Sequence, residues 1–105
     1  MNIPTYADGS VRRRFLADPW HAWLRVPLSD LDELGIRNQI TMFSYFNDKY
    51  AYLEEDCDYE TYMDAMNEVG ITVNVQFGAD SKTSSFVRRL PNFPPAREGR
   101  FAMVG

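Results

Sequence analysis

The stretch from residue 56 to residue 77 constrains the fold most. Tyr59, Tyr62, Met63, Met66 and Val69 recur at i, i+3, i+4, i+7 and i+10, one apolar stripe along a helix, and Gly70 supplies a left-handed stop. Asp56 or Asp58 stands where a cap belongs. Immediately afterwards Ile71, Val73, Val75 and Phe77 alternate with polar residues, the period of a strand with one buried face. Neither element can hide its apolar side alone, so a helix packed on a sheet is the smallest arrangement that satisfies both.

The upstream chain supplies the rest of that sheet. Residues 39–46 alternate Ile40, Met42, Ser44 and Phe46 with Thr41, Phe43 and Tyr45, and Asn47-Asp48-Lys49 is turn chemistry before the β-rich residues 50–53. A β-hairpin follows from this pattern. Residues 20–26 are rich in β-formers and close at Pro27, while Ser29 as N-cap, Asp30, Asp32 and Glu33 in a first turn and Gly35 as stop predict a helix of about two turns. The order strand, helix, strand, strand, helix, strand predicts an α+β domain, a βαββαβ ferredoxin-like variant with a four-stranded antiparallel sheet and a short first helix. The core is expected over residues 20–77. Residues 1–19, with Pro4, Gly9 and an arginine triplet at 12–14, read as an N-terminal arm; residues 78–105 read as a polar loop, a short edge strand over 84–90 and an extended Pro-rich tail.

With 105 residues there is room for one domain. One cysteine excludes a disulfide framework and a Cys-rich zinc site, and fits a reducing cytoplasm. No apolar run reaches the ~20 residues of a membrane span, and no signal peptide is evident. The net charge of −4 conceals blocks: residues 30–80 hold twelve acids against Arg37 and Lys49, a net of −10, while residues 1–29 sum to +2 and residues 81–105 to +4. An acidic middle repels nucleic-acid backbones and attracts basic protein surfaces, so a nucleic-acid-binding protein is expected as partner in preference to nucleic acid itself.

The densest charge is at Glu54, Glu55, Asp56, Asp58 and Glu60, at the mouth of the second helix. One or two acids answer the need for capping and dipole compensation; five exceed it, which points to a surface kept acidic for a basic partner. An EF-hand reading of Asp56, Asp58 and Glu60 fails, because Thr61 stands where the loop needs Gly and Asn67 where it needs Glu. No metal, cofactor or catalytic residue is expected: Cys57 lacks the electropositive setting of a reactive thiol, His21 is the only histidine, and no phosphate-binding loop is present. Phe43, Tyr45 and Tyr52 add aromatic rings beyond what one buried sheet face requires. They predict either cover by a basic arm or an interface, in one version a homodimer. Base stacking, as in RNA-recognition modules of similar topology, is a further reading, although no basic-aromatic signature accompanies it.

A small acidic α+β chain in which the 44–53 hairpin leads into the Glu54 to Glu60 run resembles accessory proteins of bacteriophages and conjugative elements, including anti-CRISPR inhibitors. The resemblance covers residues 20–77 as a pattern and transfers no residue roles. It implies a non-enzymatic inhibitor, working in the cytoplasm of a bacterial host, that binds a nucleic-acid-handling defence complex and occupies its basic groove. The alternatives are a small regulatory or structural domain that dimerises through its aromatic face, and an RNA-binding module.

Overall fold

A computed structural model describes residues 1–78 and 80–94. Five strands and two α-helices form one α+β domain: β1 (Ser10–Ala17), β2 (Ala22–Pro27), α1 (Leu28–Glu33), β3 (Tyr45–Phe46), β4 (Tyr50–Glu54), α2 (Asp58–Glu68) and β5 (Thr72–Phe77). The sheet runs β3-β4-β2-β1-β5, antiparallel except for the parallel pair β1 and β5. The expected four-stranded antiparallel ferredoxin-like sheet is therefore corrected to a five-stranded mixed one. The additional strand is β1, from the segment read as an arm, and it lies between β2 and β5.

Its residues explain why. Val11, Arg13 and Phe15 face the helices, and Arg12, Arg14 and Leu16 face away, so an arginine occupies an inward position and breaks the hydropathy alternation. Arg13 is tolerated there because its Nη2 and Nε lie 2.8 and 3.1 Å from Asp30 Oδ2, on α1, while the Tyr62 hydroxyl of α2 donates to the same oxygen at 2.6 Å. Burial and the Asp30 charge push the Tyr62 phenol far above its ordinary range. One triad thus ties β1 to both helices.

Around it lies the main core, in which Leu24, Val26, Ala51 and Leu53 of the sheet join Tyr62 and Met66 of α2 and Leu31 of α1. Ile3 is buried in the same core, and the Asn2 N–H donates to Glu33 at 2.8 Å, so the N-terminal residues lie along the domain. Gly35 and Gly70 close the helices at φ +69° and +77°, as read from sequence. The caps differ: Pro27 stands at the N-cap of α1, with Ser29 inside the helix, and α2 has Cys57 at its N-cap. Of the strand expected over 39–46 only Tyr45 and Phe46 pair with β4, because 41–44 bonds elsewhere. The 84–90 edge strand is replaced by a 3-10 turn over Phe86–Arg89, followed by a single bridge from Asn92 to Tyr45. The tail beyond residue 94 lies outside the described residues.

That turn lies on the sheet face opposite the helices. Val87 and Leu90 pack on Trp23, Tyr52, Tyr45 and Leu16, and the Phe86 ring meets Tyr52 edge-on at 5.8 Å. Asp18 in the β1–β2 turn clips it down, accepting from Arg88 Nε and Nη2 at 2.6 and 3.0 Å and from the Ser85 N–H at 3.0 Å.

Candidate functional site

A cavity of about 450 Å³ opens where the start of β2, the 41–45 loop, the β4–α2 connection and the 85–93 segment meet. Its walls are His21 and Trp23, Phe43 and Tyr45, Glu54, Asp56 and Cys57, and Arg88 and Asn92. Four of the eight residues expected at a partner site, Glu54, Asp56, Phe43 and Tyr45, are brought together here.

Local hydrogen bonding builds each wall. Asp58, the first residue of α2, is 1% exposed and turns its carboxylate inward. The Thr41 N–H and hydroxyl and the Ser44 hydroxyl donate to its Oδ2 at 3.0, 2.8 and 2.5 Å. That captures the 41–44 loop away from the sheet and leaves Phe43 70% exposed at the lip, beside exposed Met42. The Asn92 amide donates to the Met42 carbonyl at 2.8 Å, and the Phe93 N–H to the Ser44 carbonyl at 2.7 Å, which fixes the loop from the other side.

Glu54 performs the capping that the sequence assigned to Asp56 or Asp58. Its carboxylate accepts from the N–H groups of Asp56, Cys57 and Asp58 at 2.9, 2.6 and 3.0 Å. Partial burial pushes its carboxyl upward, but those N–H groups, with the nearby His21, outweigh burial and hold it below the usual carboxylate range. Arg88 is occupied as well. It is paired with Asp18 and lies 5.4 Å from the Trp23 ring and 5.5 Å from Trp20.

The expected site set therefore divides. Asp58 and Tyr52 are buried, at 1% and 3% exposure, which corrects the reading of both as surface contacts: one holds a loop, the other lies under the 3-10 turn. Residues 86–90, the start of the segment read as a basic C-terminal arm, cover Trp23 and Tyr52 on that sheet face. Glu55 and Glu60 are exposed outside the cavity, and Asp56 keeps an exposed carboxylate at its edge. His21, Trp23, Arg88 and Asn92 were not anticipated at a site, since their separation along the chain leaves no local pattern.

Cys57 and His21 line one cavity, and no hydrogen bond joins them among the described residues. No cluster of three His, Cys, Asp or Glu side chains able to hold a metal ion occurs among the described residues, and no described helix is long and apolar enough to cross a membrane. Comparison with protein-family models, with curated proteins and with solved structures finds no match.

Proposed function

We propose that the protein acts by binding a basic partner protein, with the Phe43-lipped cavity receiving a lysine or arginine side chain of that partner. The observation that carries this is the convergence of exposed Phe43, Tyr45 and the carboxylate of Asp56 on one cavity. An aromatic wall attracts a cation through its ring face, and a carboxylate beside it adds charge and a hydrogen-bond acceptor. Met42 and Phe43 supply exposed apolar area for the centre of such an interface, with Glu55 and Glu60 as acidic surroundings that steer a basic surface toward it.

The partner this chemistry favours is a nucleic-acid-handling protein, whose lysines and arginines are concentrated in grooves, and the mode of action is stoichiometric occupation of such a groove. That is the anti-CRISPR type of inhibition, in the cytoplasm of a bacterial host. Dimerisation through the aromatic face draws less support, because Tyr52 and Trp23 are already covered by the chain's own residues 85–90.

The test is inhibition of target-DNA binding by an RNA-guided defence complex, titrated with the parent protein and with Phe43→Ala combined with Asp56→Lys. Inhibition saturating near one inhibitor per complex, weakening with salt and lost in the double variant, is the expected result. Equal inhibition by parent and double variant would remove the cavity from the interface.

A further inference from the structure

The arginine triplet of β1 is split by the pleat. Arg13 turns to the helices and is satisfied there, whereas Arg12 and Arg14 point to the opposite face, where Arg25 of β2 is the register partner of Arg14. Like charges directly opposite on adjacent strands work against the pairing. None of these three arginines makes an ion pair among the described residues. Asp8, the carboxylate nearest in sequence to Arg12, is already bonded to the Ser10 N–H and hydroxyl at 3.0 and 2.6 Å.

The three guanidiniums fan apart. Arg25 lies 4.6 Å from the Tyr50 ring centroid and Arg12 lies 4.3 Å from that of Tyr6. Arg14 reaches across the end of β5, its Nη1 2.7 Å from the point where a Cβ on Gly78 would stand. A stacked guanidinium keeps its N–H edge available for in-plane bonds to phosphate oxygens. Between the arginines and Tyr50 runs a hollow of about 170 Å³, and a second of about 290 Å³, bounded by Pro4 and Tyr6, shares Arg12 and Arg13 with it. Beside them Asn74 and Gln76 of β5 are register partners of Arg12 and Arg14 and are exposed.

We infer that this trough binds the phosphate backbone of a single-stranded nucleic acid. The guanidiniums along the hollow lean on different groups, Arg12 on Tyr6, Arg25 on Tyr50 and Arg14 past Gly78. Arg12 and Arg14 stand roughly 6.7 Å apart along β1 by strand geometry, a spacing that suits successive phosphates of a chain better than one free phosphate. The strip is composed of arginine, amide and tyrosine groups and lacks the apolar centre that marks a stable protein interface. The acids that made nucleic acid an unexpected partner are sorted away from it by the fold, since Glu60, Asp64 and Glu68 are exposed on α2, which packs on the other face. The inference goes beyond the reading of the cavity and does not rest on it.

Fluorescence anisotropy of a labelled oligo-deoxythymidine of about twenty residues, titrated with the full chain at low ionic strength, tests it. Binding is expected, with a slope of log K against log salt of about −2, from three phosphates at ~0.7 each. Arg12→Gln, Arg14→Gln and Arg25→Gln together should weaken it at least about tenfold and flatten that slope. Arg14→Gln alone should melt no lower than the parent, since it removes an opposed like charge, which separates a binding role from a structural one. Absence of binding by the parent, or equal affinity and slope in the triple variant, would overturn the inference. So would a parent that self-associates at low salt without oligonucleotide and is returned to monomer both by the triple variant and by Glu60→Lys with Asp64→Lys, which would assign the strip to a second copy.

Discussion

On the helix-covered face of the sheet Leu24, Val26, Ala51 and Leu53 form one continuous cluster with Tyr62 and Met66, whereas on the opposite face the short turn from Phe86 to Leu90 covers Trp23 and Tyr52, and Arg12 and Arg14 beyond it are exposed. A buried carboxylate holds an arginine on each face, Asp30 on one and Asp18 on the other, and the two pairs differ in the same sense. Arg13 and Asp30 are sealed between strand and helices, with side chains 14% and 4% exposed, while Arg88 reaches a buried Asp18 from a partly open surface. The first face holds the fold by burial and commits Arg13, Asp30 and Tyr62 to one another. The second is held by a clip, and the groups left over, Phe43 and Asp56 at one end and Arg12, Arg14 and Arg25 at the other, are the ones available to partners. Under the two proposals above, stability and binding fall on opposite sides of one sheet.

The largest expected effect lies on the helix face. Met66 is fully buried at the centre of the α2 stripe, so Met66→Asp places an unpaired charge in the core at a cost of several kcal/mol, comparable with a typical total stability of ~5–15. Circular dichroism should report an unfolded chain at room temperature. Next comes Asp30→Ala, which strands the Arg13 guanidinium and the Tyr62 hydroxyl; loss of one partner of a buried pair costs about 3–5 kcal/mol. Denaturant titration showing less than about 1 kcal/mol for Asp30→Ala would mean that the triad is incidental and the face is held by burial alone.

This division was partly legible in the sequence. The α2 stripe from Tyr59 to Met66, the β5 alternation as far as Val75 and the β3–β4 turn at Asn47 were read correctly because each signal is local: a period, a stop glycine, an Asx turn. Val69 and Phe77, expected to face inward, are 42% and 77% exposed because they stand at the ends of their elements. β1 was missed because its inward Arg13 looks like a surface residue until Asp30 and Tyr62, 17 and 49 residues away, are brought beside it. The 41–44 loop was misread as strand for the reciprocal reason: its alternation is real, but Asp58 takes its backbone and hydroxyl groups first. At the site, Phe43 and Asp56 could be picked out by residue type. His21, Trp23 and Arg88 could not, since they meet only through the β1–β2 turn and the C-terminal segment.

The clip should yield before the fold does. Arg88 foremost, and then the N–H groups of Ser85, Trp20 and His21, hold the Asp18 carboxyl well below the usual carboxylate range against the opposing effect of desolvation. A depressed carboxyl contributes stability that is complete above its unfolded pKa of about 3.9 and is lost as pH falls below it toward the folded value. Acidification below about pH 4 should therefore weaken the clip progressively, and Asp18→Asn should do so at neutral pH. Trp20 and Trp23 are the only two tryptophans and both lie under Arg88, so their fluorescence reports the event, while far-ultraviolet dichroism stays close to that of the parent. Simultaneous loss of both signals in Asp18→Asn would show that the second face is as integral to folding as the first.

The smallest effect on stability is expected where the effect on binding is largest. Phe43 is held at the cavity lip by backbone and neighbouring hydrogen bonds, not by burial of its ring: its own N–H donates to Thr41 Oγ1 at 3.3 Å, Thr41 and Ser44 are anchored to Asp58, and Met42 to Asn92. The ring itself is mostly in solvent, so Phe43→Ser removes little buried area and should change stability by no more than about 0.5 kcal/mol. Asp56→Asn likewise removes an exposed charge with no ion pair among the described residues, in a region where like carboxylates repel. Melting temperatures of both variants should match the parent, and their loss of a basic partner would then belong to the interface alone. Were Phe43→Ser to melt well below the parent, the ring would be packing on the cavity wall, the cavity would be closed in solution, and the separation of a stabilising face from a binding face would have to be redrawn around the 41–44 loop.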